Sequence, residues 1–418
     1  VNGFAPKGGI AKILLTDPGR SVVWPEDVAT YGKFQKHGYD AYFMRYFRKR
    51  HNIRTDVFLF ICKILSREDI SQSDLQIPGD KDDGNPFWAE VVNVSMDQLM
   101  APAVAHRLHQ RTLADQAPPL IQRYVDAMLR LNRSRNARLQ HEAMAIAAIL
   151  NEIDVVPVFL KGAAGLLTGL YDDPAVRVMS DLDIVVPAEC SNRCRKHLVA
   201  RGYERAPTLP HPRQKGIDTY VRASSTAPID LHHEVMEYRY QNLLSGSEII
   251  DESLVQSRDG IRFAIPSPTH QIIINIGQSQ LNDHAYWYGN LALRTIFDFA
   301  CLTRVMDDQI DWQMIENRFA QMRFKTALHF HCHATRRMLG IEAGAPVEPG
   351  LLVRFLYWRA LFLIDYPALQ RVNYRIVRVV MLLRQELSSR ETLVRLLRNM
   401  GDAHWWHRHL EIFRKGIR

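Results

Sequence analysis

The stretch "FLKGAAGLLTGLYDDPAVRVMSDLDIVVP", residues 159–187, decides how the rest of the chain is read. Its end, "LDIVVP", is a short apolar run closed by Pro187, the pattern of a buried strand. Asp181 and Asp183 stand at the head of that run. Side chains two positions apart on a strand share a face. Both carboxylates therefore aim one way, while Leu182 turns into the core. Two such groups at close range repel and prefer to share a proton. A divalent cation removes that penalty, and Mg²⁺ favours carboxylate and phosphate oxygens. Upstream, "VVPVFL" (155–160) reads as a second buried strand, followed by Lys161-Gly162 and a short helix. Gly162 lets a backbone approach a phosphate closely. The helix start offers free N–H groups, and Lys161 adds a point charge. Arg177 is a second phosphate candidate, and Ser180, next to Asp181, joins the nucleotide-binding set.

Working outward, residues 120–150 carry a helical pattern, with Leu139, Ala143, Ile146 and Leu150 on one face. "AECSNRCRKHLVARG" predicts a helix that ends at Gly202. "IDTYVRA" and "PIDLHHEV" predict two strands joined by a turn. Asp230 heads the second of them. If that strand neighbours the one bearing Asp181 and Asp183, three carboxylates converge, enough to hold two cations about 3.5–4 Å apart. By alternation His232 shares the face of Asp230. It reads either as an acceptor-orienting base or as a partner of the carboxylates. Beyond Pro266 the pattern is nearly all helical. In "NLALRTIFDFACL" the residues Leu293, Ile296, Phe297, Ala300 and Cys301 form one apolar stripe.

Together, "VPVFLKG", "LYDDPAVRVMSDLDIVV", "IDLHHE" and "LRTIFDFACL" resemble the uncharacterised nucleotidyltransferase family of the DNA polymerase β-like superfamily. The resemblance covers about residues 100–340. It implies an α+β fold: a polymerase β-like nucleotidyltransferase core, flanked by N- and C-terminal helical regions. It also implies Mg²⁺ or Mn²⁺ and an NTP donor. Asp181, Asp183 and Asp230 carry over as metal ligands and catalytic residues. Lys161, Gly162 and Arg177 carry over as motif positions. Asp298 matches a helical acid of the family, and Arg294, four residues earlier, is placed to pair with it. The pair Gly162-Ala163 stands where the superfamily commonly has Gly-Ser or Gly-Gly, so no serine hydroxyl is available there.

The expected reaction moves an NMP from an NTP to an acceptor hydroxyl or phosphate and releases pyrophosphate. The acceptor is left open among a small molecule, a peptide or protein, and RNA. Two other readings stand beside this one: a catalytically silent nucleotidyltransferase-like binding protein, and a toxin-like enzyme that modifies tRNA.

The rest of the chain bounds these readings. With 418 residues, 47% hydrophobic and 23% charged, it has the composition of a globular protein. The expected division is 1–90 as a mostly helical region, 91–265 as the core, and 266–418 as a helical domain. Residues 351–418 hold 13 Arg and Lys against 5 Asp and Glu, which equals the whole chain's net charge of +8. That tail suits an anionic partner or a solvated helical face. Five cysteines without a CxxC pair point to a reduced, cytoplasmic setting. No apolar run is long enough for a transmembrane segment.

"KFQKHGYDAYFMRYFRKRHNIR" fits either an amphipathic helix or a nucleic-acid surface. "TDVFLFICKIL" predicts a helix capped by Thr55 or Asp56. Residues 66–86 read as a loop, or as a helix followed by a linker. His329 and His333 have metal-capable spacing near His331, and Cys190, Cys194 and His197 form a stripe better suited to a core. His270 and His284 are placed on helices that could line an acceptor cleft.

Overall fold

The computed structural model describes residues 53–66, 86–206, 217–344 and 349–386. The region around residues 34–52, residues 67–85 of the expected linker and residues 387–418 of the basic tail lie outside the described residues. The described residues up to Asp365 form one compact unit, and those from Tyr366 belong to a second. The described part of the second unit is a helix, Pro367–Glu386.

Within residues 43–365 the helices α1 (Ile53–Leu65), α2 (Pro86–Asp97) and α3 (Ala101–Gln110) precede a 33-residue helix, α4 (Pro119–Asn151). The first helix begins ahead of Thr55 and Asp56, so neither residue caps it. Asp365 does that work from far along the chain, its carboxylate accepting from the Thr55 N–H at 2.9 Å.

The mixed part follows: β1 (Val158–Phe159), α5 (Lys161–Thr168), β2 (Leu182–Val185), α6 (Ser191–Ala200), β3 (Glu204–Arg205), β4 (Asp218–Val221) and β5 (Ile229–His232). Then come α7 (Gly246–Asp251) and a hairpin, β6 (Leu254–Arg258) and β7 (Ile261–Ile265). The seven strands make one mixed sheet in the order β3-β4-β5-β2-β1-β7-β6. The helices α8 (Pro268–Ile276), α9 (Ala285–Tyr288), α10 (Leu293–Met306), α11 (Trp312–Gln321), α12 (Lys325–Leu339) and α13 (Leu351–Asp365) complete the unit. A π-helical turn, Gly277–Asn282, joins α8 to α9.

Strand alternation explains the two cores. Leu182, Ile184, Ile229 and Leu231 face a cluster with Leu139, Ile146 and Leu150 of α4, Leu166 of α5 and Leu198 of α6. Burying each large side chain in it is worth about 1.5–3 kcal/mol. The opposite face presents Asp183, Asp230 and His232. Val185 on that face packs into the second, larger core, which α8, α10 and α12 share. The predicted stripe on α10 is buried from Leu293 to Cys301. No described helix is long and apolar enough to cross a membrane.

Candidate active site

The central pair β2 and β5 is parallel, with Asp183 opposite Asp230 and Val185 opposite His232. Opposed residues on neighbouring strands stand side by side on one face. The expected convergence of the two strands is therefore present for Asp183 and Asp230. His232 lies on the same face, and its Nε2 is 2.9 Å from Asp183 Oδ1. One ligand atom from each of Asp183, Asp230 and His232 falls within 4.8 Å of the others. Asp181 precedes the strand and is outside that close group. It is partly exposed, and Ser180 donates its hydroxyl to Asp181 Oδ2 at 3.0 Å.

Lys161 sits at the start of α5 with a left-handed backbone, φ 53°. For a residue other than glycine that conformation costs about 1 kcal/mol, and it is typical of functional turns. Its Nζ donates to Asp183 Oδ1 at 2.8 Å. Burial alone would raise the Asp183 carboxyl, but Lys161 and the His232 hydrogen bond outweigh it and hold the group well below the ordinary range. Burial would lower the Lys161 ammonium, and the Asp183 charge more than offsets that and raises it. Asp230 behaves in the opposite way. Burial and the nearby Asp183 and Asp181 charges raise it, although Thr219 donates a hydroxyl to its Oδ1 at 2.6 Å. The two opposed carboxylates thus differ in basicity, Asp183 being the stronger acid.

Gly162 follows Lys161 in a crowded place. A Cβ there would meet Met179 Sδ at 2.8 Å and the Arg177 guanidinium carbon at 3.5 Å. Arg177 itself is buried. Its Nε donates to both Asp298 oxygens, at 2.8 and 2.9 Å, and Tyr171 donates to Asp298 at 3.0 Å. The expected Arg294–Asp298 pair is therefore replaced by an Arg177–Asp298 pair. The reason is geometric: Arg177 meets the carboxylate along the side of its own plane with two donors, the strong arrangement for guanidinium. Arg294, one turn earlier on α10, is half-buried and makes no hydrogen bond or ion pair with a described residue. It lies in the fields of Asp298, Asp181 and Asp283.

The loop before Asp181 is braced from α4. Asn132 and Asn136 both donate to the Arg177 carbonyl, at 3.1 and 2.8 Å, and Arg135 donates to the Met179 carbonyl at 3.1 Å. Buried polar side chains in the middle of a helix need such partners. In "LNRSRNARL" they break the apolar stripe, and that break was the available signal for this brace.

Among the described residues, the His329–His331–His333 and Cys190–Cys194–His197 groups do not gather ligands. His331 is fully buried, its Nδ1 accepts from the Gln280 amide at 2.9 Å, and it packs edge-on against Phe299. His329 approaches Glu316 at 3.4 Å, and His333 lies against Tyr357. Cys194 is buried in the sheet core, and His197 bonds Glu152 at 2.9 Å. His284 meets Arg239 at 3.1 Å. His270 is wholly buried.

A mixed sheet thus carries paired acidic residues on adjacent parallel strands, after a Lys-Gly turn into a helix. The chain belongs to the uncharacterised nucleotidyltransferase family, whose model matches residues 85–340. No curated protein and no solved structure matches it.

Proposed function

We propose that the chain is a divalent-metal-dependent nucleotidyltransferase that transfers an NMP from an NTP to an acceptor hydroxyl or phosphate. The acceptor oxygen, a hydroxyl giving up its proton to solvent, forms a bond to the α-phosphorus, the α–β phosphoanhydride bond breaks, and pyrophosphate leaves with the displaced electron pair. The observation that carries this reading is the parallel register of Asp183 with Asp230, beside His232 and under Lys161. The donor set fits Mg²⁺ or Mn²⁺, since hard carboxylate oxygens dominate it. Bound there, the metal would supply charge neutralisation at the phosphates and a more acidic acceptor hydroxyl.

The chain's own residues do the rest. Asp181 and Asp183 hold the nucleotide side of the centre, and Asp230 holds the acceptor side. Ser180 orients Asp181. His232 keeps Asp183 in place from the buried side. Lys161 exchanges its bond to Asp183 for a phosphate oxygen when the nucleotide arrives. Gly162 lets the Met179 side chain pack close against the turn that carries Lys161. Arg177 acts by positioning: it fixes the turn through Asp298. Arg294 supplies the second cation to the triphosphate. In this scheme residues 91–265 carry the chemistry, and the helices after residue 266 contribute Arg294.

The deciding experiment incubates the full chain with each of the four NTPs and Mg²⁺ and follows pyrophosphate release, with mass spectrometry of the products. Turnover of at least one NTP is expected. Asp183→Asn should lower it about a thousandfold, because several kcal/mol of charge stabilisation disappear at about 1.4 kcal/mol per factor of ten. Equal rates in wild type and variant would remove the mechanism. Nucleotide binding without turnover, persisting when cell extract is added as a source of acceptors, would favour a silent binding protein.

A further inference from the structure

Away from the carboxylate pair, α7 and the first turn of α8 bring three ligand-type side chains together. Glu248 and Glu252 are four residues apart, one on α7 and one at its C-terminal cap. His270 stands in the first turn of α8. Its Nε2 lies 3.3 Å from Glu252 Oε2 and 3.7 Å from Glu248 Oε1. One ligand atom from each of the three residues falls within 4.8 Å of the others.

His270 is the telling member. Its side chain is 0% exposed, and neither ring nitrogen has a hydrogen-bond partner among the described residues. A buried polar group left so carries its full desolvation penalty. Burial also lowers its basicity, more than the two nearby glutamates restore it. The ring nevertheless turns its Nε2 toward two carboxylates. An imidazole nitrogen with two carboxylates suits a borderline transition cation better than Mg²⁺.

We propose that Glu248, Glu252 and His270 form a second divalent-cation site, selective for a zinc-type ion and separate from the centre at Asp183. Glu252 is 54% exposed, which gives the ion a route from solvent. Arg318 bonds Glu248 and also donates to the Leu243 carbonyl at 3.1 Å. It orients that carboxylate as outer partners orient metal ligands. Its charge also weakens the site, so affinity is moderate. The ion would clip the end of α7 to the start of α8, at the base of the β6–β7 hairpin. Its role is structural.

The test titrates the full chain with ZnCl₂ in saturating Mg²⁺, counts bound zinc by equilibrium dialysis and elemental analysis, and follows the thermal midpoint. Neither readout depends on nucleotidyl transfer. Wild type should bind one zinc more than Glu252→Gln, and zinc should raise the wild-type midpoint. Glu252 is exposed enough for that variant to keep its fold. His270→Gln should weaken zinc binding about tenfold or more. Zinc binding that is absent in wild type, or unchanged in folded Glu252→Gln, overturns the proposal.

Discussion

Arg177 and Arg294 both stand near Asp298, and only Arg177 bonds it. The difference assigns them different work. Arg177 and Asp298 are both buried, with Tyr171 closing the group. Removing one charge leaves the other uncompensated in the interior, which typically costs about 3–5 kcal/mol. Arg177→Gln should therefore lower stability by about that amount, read as a shift of the urea midpoint. Arg294 has no such bond to lose, so Arg294→Gln should change stability by less than about 0.5 kcal/mol. It should instead raise KM for the NTP about tenfold to a hundredfold, the worth of one charge-assisted hydrogen bond. A folded Arg294→Gln enzyme with unchanged KM and kcat would exclude it from the nucleotide site. The spacing Arg-x-x-x-Asp in "LRTIFDF" suggested the wrong pair because it holds only the i, i+4 partner. A residue 121 positions away took the carboxylate instead.

Among the elements, β2, β5 and their acids were legible because a β-branched apolar run with alternating Asp has few other uses. The helix Pro119–Asn151 was legible from its apolar stripe. Less so were the strands around them. The β6–β7 hairpin turns at Asp259-Gly260, both at positive φ, which is the Asp-Gly signature of a tight hairpin turn. Its strands escaped notice because β6 is largely exposed and lacks a strong apolar alternation. The strand expected over residues 155–160 is only Val158–Phe159, since Pro157 lacks an N–H for a longer ladder.

Gly246 shows a constraint that no periodicity could reveal. A Cβ there would stand 1.9 Å from the His233 carbonyl oxygen and 2.9 Å from its carbon. These are backbone atoms just past β5, so nothing can swing aside. Gly246 also donates its N–H to Glu234 at 2.8 Å. Gly246→Ala should push α7 off the end of β5 and cost more than about 2 kcal/mol. The thermal midpoint would report it; a midpoint within a degree of wild type would show that the close approach is relaxed in solution.

For residues 43–365 as a whole, the acid limit of stability falls on buried histidine. His331 lies in the helical core between the π-helical turn and Phe299, 0% exposed, and burial pushes its pKa down from 6.5 to about 3. Its folded value is thus below its unfolded value, so the unfolded chain binds the extra proton. The stability it permits is complete above about pH 6.5 and is lost as pH falls toward the folded value. The loss runs at about 1.4 kcal/mol per pH unit for one proton, or about 2 kcal/mol by pH 5. The Asp183–Lys161 pair adds no opposing slope in this window. Its carboxyl titrates below it, where that stability is lost as pH falls, and its ammonium titrates above it, where the ammonium's share is lost as pH rises. His331→Gln keeps a partner for Gln280 and removes the titration. Urea unfolding at pH 7, 6 and 5 should therefore give a stability curve whose fall differs between wild type and His331→Gln by about one proton's worth. Parallel curves would mean that the His331 ring takes up its proton inside the fold, and that the core yields locally before the unit unfolds.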